Sequence, residues 1–228
     1  MDRNQSRMAR RSILRRLAVA GALGVGGMAG LMRAALAAKH TGAQSGIRSI
    51  KGTVTVDGQP ASIGQQIKPG QTVTTGPESE AVFVIGKDAF LQQENSEFGT
   101  TQATGVVVLR YITGKVLSVF GKGRKRLETP TATIGIRGTG CFISAGQDDT
   151  YFCLCYGTAV ITPKDKPRVR RWVRTKHHDS PFNIGSGKTG AAIRPAKDVV
   201  DHTDEQLVML EELVGRAPPF VGKGYSSY

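Results

Sequence analysis

The sequence predicts a mainly β fold: a Gly-rich stack or sandwich of short strands with one short C-terminal helix. Three observations carry this. Apolar and polar residues alternate with a period of two over short runs spaced about ten residues apart. Glycine is abundant, with 29 residues, and punctuates those runs at turn positions. Only one stretch has the apolar spacing of a helix, near the end of the chain.

At 228 residues the chain can bury one sizeable core. The net charge is +13. Residues 1–37 hold seven arginines and one acid, so +6 sits there and 13 − 6 leaves +7 for the rest. Much of that lies in Lys122-Gly123-Arg124-Lys125-Arg126 and in the run from Lys164 to Lys176. No aromatic platform accompanies the first run, so it reads as solvated loops and turns, and no nucleic-acid partner is expected.

Residues 1–37 read as a leader, not as fold. Arg10-Arg11-Ser12-Ile13-Leu14-Arg15 matches the twin-arginine export pattern. Leu17 to Leu31 is an apolar segment of 15 residues, too short and too diluted by Ala and Gly for a stable membrane span. Ala35-Leu36-Ala37 fits a small-x-small cleavage site, with Ala38 as the new first residue. A Sec leader and an uncleaved anchor are the competing readings. The expected location is the periplasm.

Residues 38–49 read as a linker, followed by a β-domain over 50–162. Thr53-Val54-Thr55-Val56 alternates, and Asp57-Gly58 is a hairpin turn signal. Thr72 to Thr75 and Ala81 to Ile85 read as strands. Val106 to Ile112 is a near-continuous apolar run, expected to be buried on both faces. In Pro130-Thr131-Ala132-Thr133-Ile134-Gly135-Ile136-Arg137, Ala132, Ile134 and Ile136 form one apolar face, and Arg137 ends the strand with a fixed charge. A buried ion pair or a row of carbonyls is its expected partner, with a bound anion as the alternative.

The run Thr129-Pro130-Thr131-Ala132-Thr133-Ile134-Gly135-Ile136-Arg137-Gly138-Thr139 resembles the signature of the FecR family, the periplasmic domain of iron-dicitrate-type sensors. Gly52 to Val56, Ile67 to Gly76, Ser79 to Val84 and Gly157 to Val160 agree with it, so the resemblance covers about Ile50 to Ile161. It implies an elongated β-domain that senses or relays a signal at the cell envelope, without catalysis. Regulators of that family carry a cytoplasmic segment and a membrane span ahead of this domain. A leader stands there instead, which leaves a binding or scaffold module whose partner is another envelope protein or a small ligand.

Residues 163–228 read as a basic C-terminal extension outside the resemblance. Val169, Arg171 and Val173 alternate as one exposed strand. The helix is expected over 204–214. Thr203 and Gln206 form a capping box, Asp204 and Glu205 suit the helix's positive end, and Gly215 with Pro218-Pro219 stops it. Leu207, Leu210 and Val214, thickened by Val208 and Leu213, make its apolar stripe, which is expected to dock on its own domain.

Three cysteines leave at least one thiol outside any intrachain bridge. On a strand, Cys153 and Cys155 point to one face with Cα atoms about 6.6 Å apart. That spacing strains a disulfide but suits a shared soft metal. If Ala145 to Asp149 is a hairpin loop, Cys141 stands opposite Cys153 at a spacing that allows a disulfide. Cys153, Cys155, His177 and His178 have the ligand types of a Cys2His2 site, so a transition metal or haem is the alternative function. The competing reading makes the cysteines small core residues and His177-His178-Asp179 a solvated turn. An enzyme is not expected: no base, acid and oxyanion loop gather beside Cys155.

Overall fold

The structure, a computed structural model, describes residues 44–103, 106–178, 181–185 and 192–224. The leader, with Arg10, Arg11, Ala37 and Ala38, lies outside the described residues. In chain order the strands are β1 (Gly46–Lys51), β2 (Val54–Val56), β3 (Gln59–Pro60), β4 (Thr72–Thr75), β5 (Glu80–Ile85), β6 (Asp88–Gln92), β7 (Ser96–Ala103) and β8 (Val106–Val119). They continue with β9 (Arg124–Glu128), β10 (Ala132–Arg137), β11 (Gly140–Ala145), β12 (Asp149–Pro163), β13 (Arg171–Thr175), β14 (Pro181–Gly185) and β15 (Ile193–Pro195). One helix, α1 (Asp204–Leu213), follows. The chain is thus mainly β with a short helix near its C-terminus, as the alternation predicts.

Two long strands organise everything else. The first part of β8 pairs with β7 and β9, and its last residues pair with β6 and β11. The first part of β12 pairs with β11 and β14, and its second part with β10 and β13. Each strand therefore passes from one sheet to the other. Gly114, at φ +81°, and Gly157, at φ +104°, make the two bends. A Cβ on Gly114 would lie 2.5 Å from the Ser96 Cα, and one on Gly157 would lie 2.9 Å from the Gly138 carbonyl oxygen. Only glycine tolerates both the φ and the approach. The ladders β8–β9–β10–β12–β11–β8 close into a ring, which removes edges at the centre of the fold.

The predicted hairpin turn forms: Asp57 and Gly58 both have positive φ, 51° and 76°, between β2 and β3. In β8 the expectation of two buried faces holds only in part. Val108, Leu109 and Tyr111 are buried, whereas Val106 and Val107 are exposed. The first strand begins at Gly46, inside the stretch read as linker.

The main core lies between the two sheets. Phe83, Phe90, Phe98 and Tyr111 pack ring to ring, with Leu127, Ile134, Cys141, Ile143, Phe152 and Leu154 around them. Gln92, fully buried, donates from its amide to the Val73 and Ser96 carbonyls. Strand alternation turns Leu91, Leu117, Val119, Phe142, Cys153 and Cys155 to the other side of the same sheet. They are buried there too.

What covers that second face is the C-terminal segment. The extension is therefore not an appendage: β13 and β14 both pair with β12, and α1 packs on β6 and β8. The capping box is present, with Gln206 N–H donating to Thr203 Oγ1 and Thr203 N–H to Gln206 Oε1. The docked face is Leu207, Met209 and Leu210, joined by Gln206 and Glu211. Val208, Leu213 and Val214 are only half-buried, so the docked stripe is shifted from the expected one. Truncation after Ala196 should lower the melting temperature and raise binding of an apolar dye, because it uncovers Leu91, Leu117, Val119 and Phe142. A truncated protein that melts like its parent would contradict this docking.

Candidate metal centre

Cys153 and Cys155 project from the same face of β12, two residues apart. The turn after β13 brings His178 over them. Its φ of 45° is a left-handed conformation that costs a non-glycine residue energy, and its N–H is tied to the Cys155 carbonyl at 3.0 Å. The segment entering α1 brings His202 from the other side, where its ring stacks on Phe142 with centroids 4.6 Å apart.

All four side chains are buried, and one donor atom from each lies within 4.8 Å of every other. Cys153 Sγ is 3.5 Å from His178 Nδ1, and Cys155 Sγ is 3.5 Å from His202 Nε2. The two imidazole nitrogens, His178 Nδ1 and His202 Nε2, are 3.3 Å apart. A tetrahedral zinc with Zn–S of about 2.3 Å and Zn–N of about 2.05 Å requires S···N edges of about 3.5 Å and an N···N edge of about 3.3 Å. The Cys153–His178, Cys155–His202 and His178–His202 edges match these lengths, and every other donor pair lies within 4.8 Å.

The surrounding groups orient the rings. His178 Nε2 lies 3.1 Å from Asp204 Oδ1, and His202 Nδ1 lies 2.7 Å from the Val200 carbonyl oxygen. A carboxylate and a carbonyl only accept, so both outer nitrogens carry the proton. The inner nitrogens, Nδ1 of His178 and Nε2 of His202, then present lone pairs to each other. With thiol protons present, the sulfurs can satisfy them. With both thiols ionised, one divalent cation replaces the two protons. The set of two thiolates, two neutral imidazoles and a dication carries no net charge, which is the condition for burying it. The local field already favours ionising one sulfur. The Cys155 thiol, donating to Cys153, together with His178 and His202, pulls the Cys153 pKa well down, while burial pushes Cys155 up.

The geometry differs from the sequence expectation at three places. His177 does not join the cysteines. Adjacent residues diverge, and its Nε2 lies 2.7 Å from Asp204 Oδ2, with its ring against Phe220. Asp204 thus bridges both histidines. His202 takes the fourth position, although no sequence spacing pointed to it: it lies 47 residues from Cys155, and only the capping box beside it marks the place.

The Cys141–Cys153 disulfide does not form, and all three cysteines are free. The register is one residue away from the expected one: Cys141 pairs with Leu154, and Cys153 with Phe142. A one-residue shift reverses the face. Cys141 points into the main core, and burial pushes its thiol pKa up.

Arg137 is exposed, not buried in an ion pair as expected. It stands opposite Arg124 on β9. Arg137→Ala should therefore change stability by no more than about 0.5 kcal/mol. A loss above about 2 kcal/mol in urea unfolding would contradict the exposed placement.

No protein-family model matches the chain, and no curated protein matches it. The fold is similar to two crystal structures of a "putative anti-sigma factor" from Parabacteroides distasonis. Both are 10% identical over 56% of this chain, with TM-scores of 0.47 and 0.46. The match spans 59% of the length of those chains. No described helix is long and apolar enough to cross a membrane.

Proposed function

We propose that this chain is an exported, non-enzymatic binding module of the cell envelope, built on a FecR-type β-domain and holding one zinc-type transition metal. Cys153 Sγ, Cys155 Sγ, His178 Nδ1 and His202 Nε2 are the ligands. The observation that carries this reading is the convergence of four buried donors within 4.8 Å of one another, with the two imidazole tautomers set by Asp204 and the Val200 carbonyl. Four protein ligands fill a tetrahedral ion and leave no position for substrate, which favours a structural over a catalytic role. The donors converge on one point and leave no slot for a porphyrin, so a single ion is favoured over haem. The S2N2 set favours zinc among divalent ions.

The FecR-type reading rests on the Thr129 to Thr139 run and the envelope role that it implies. The leader supports export, and transport in the folded state suits a protein that takes its metal before crossing. Elemental analysis of the full chain, purified without a polyhistidine tag, should find about one zinc per chain, and His202→Ala should lose it. A metal-free wild type after growth in zinc would overturn the metal reading. For export, Arg10→Lys with Arg11→Lys should leave uncleaved protein in the cytoplasm. Maturation of that double variant would remove the twin-arginine reading.

A further inference from the structure

The metal centre leaves Gly135 and Arg137, two residues of the Thr129 to Thr139 run, unused. Both lie on the outer face of the opposite sheet. Ile134 and Ile136 point into the core, so Gly135 and Arg137 point out. Paired residues share a face. Gly135 pairs with Val160 on one side and Arg126 on the other, and Val160 pairs with Trp172. One row across four strands therefore reads Trp172, Val160, Gly135, Arg126. The flanking row carries Arg174 opposite Thr158 and Arg137 opposite Arg124.

Three features mark this face. Trp172 is 75% exposed on it. A solvent-facing indole offers a flat apolar ring face to a ligand. Gly135 leaves a notch: a Cβ there would meet nothing within 4 Å. Val160 and Arg126 wall that notch two strand spacings apart, about 10 Å. Finally, among the described residues Arg110, Arg124, Arg126, Arg137 and Arg174 share the face with Glu128, which pairs with Arg110 across β8 and β9 and whose Oε1 is 3.9 Å from Arg126 Nε. Arg124 and Arg137 are like charges directly opposed, a pairing that disfavours the sheet unless an anion bridges them.

We propose that this face binds an acidic polysaccharide. A sugar ring lies in the Gly135 notch with an apolar face against the Trp172 indole, and the carboxylates of neighbouring uronate units meet Arg126 and the Arg124–Arg137 pair. Guanidinium forks match carboxylates in bidentate geometry. Arg124 and Arg137 are one strand spacing apart, about 4.8 Å, and Arg126 lies two residues from Arg124 along β9, about 6.6 Å, which spans the length of one sugar unit in an extended chain. Single-stranded nucleic acid is the other polyanion, but its binders stack successive bases on several rings, and this face carries one ring among the described residues. A flat four-strand face also presents no helix or ribbon to a duplex groove.

Trp172 is the only tryptophan in the chain, so intrinsic fluorescence reports on this face alone. The full chain is titrated with hexagalacturonate, with dextran and poly(dT) as comparators. The expected result is a saturable change in emission with hexagalacturonate, weakened by salt, and none with dextran. Gly135→Val fills the notch without meeting a neighbour, so it should keep the wild-type melting temperature and weaken binding at least tenfold. Arg124→Ala with Arg137→Ala should weaken it similarly and flatten the salt dependence. No saturable change, equal binding of dextran, unaltered binding by a folded Gly135→Val protein, or tighter binding of poly(dT) would each overturn the proposal. His178 follows β13 directly, so the titration is run on the zinc-loaded chain, and zinc content measured on the same sample keeps a failure of this test distinct from a failure of the metal reading.

Discussion

Removing the metal should lower the melting temperature by about 10 °C without unfolding the β core. A ligand that binds only the folded state stabilises by about 4 kcal/mol when its free concentration is about a thousandfold above Kd. For a chain of this length, each kcal/mol moves the melting temperature by about 2–4 °C. The core between the sheets contains none of the four ligands, so far-ultraviolet circular dichroism should change little on chelation. The C-terminal segment should respond most, because His178 and His202 tether it to β12 while Leu207, Met209 and Leu210 supply the rest of its anchorage. His202→Ala should reproduce the chelated melting temperature, and chelation should then have no further effect. Asp204→Asn should keep the metal but weaken its binding about 10- to 100-fold, since the carboxylate only orients His178. A chelator-treated wild type with an unchanged melting temperature would contradict the coupling.

Glu211→Ala should cost about 3 kcal/mol while leaving metal content at the wild-type value. Glu211 is 3% exposed. It accepts from the Tyr156 hydroxyl with one oxygen and from Arg216 Nε with the other. Arg216 in turn donates to the Lys87 carbonyl at 2.7 Å. Burial, reinforced by the Glu211 carboxylate, pushes the Tyr156 pKa upward, so its proton is held in place. Breaking a buried pair by deleting one partner costs about 3–5 kcal/mol. The low end applies because the Arg216 side chain is 30% exposed and partly screened. Urea unfolding with an unchanged m-value would measure this, and a change below about 1 kcal/mol would contradict it. Retained metal separates this loss from that of the ligand variants.

Period-two runs bounded by glycine carried the fold into view, because alternation reports directly on half-buried strands. The capping box around Thr203 did the same for the helix, since its partners are three residues apart. Three of the four proposed ligands were legible. Cys153 and Cys155 share a face by strand geometry alone, and His178 follows on the neighbouring turn. His202 was not legible, because a ligand brought in by tertiary docking of α1 leaves no spacing in the sequence. The Cys141 register failed for a related reason. Sequence gives the two strands and their turn but not the loop geometry that sets pairing, and a shift of one residue moved Cys141 to the opposite face. Arg137 misled because a charge closing an apolar strand reads as buried, whereas alternation had already placed it outside with Gly135.

X-ray absorption at the zinc edge, on the full chain purified without a tag, tests the central claim most directly. Two sulfur scatterers at about 2.3 Å and two nitrogen scatterers at about 2.0–2.1 Å are predicted, with one sulfur lost in Cys155→Ser. A shell of oxygen and nitrogen alone, or a spectrum unchanged by Cys155→Ser, would contradict it.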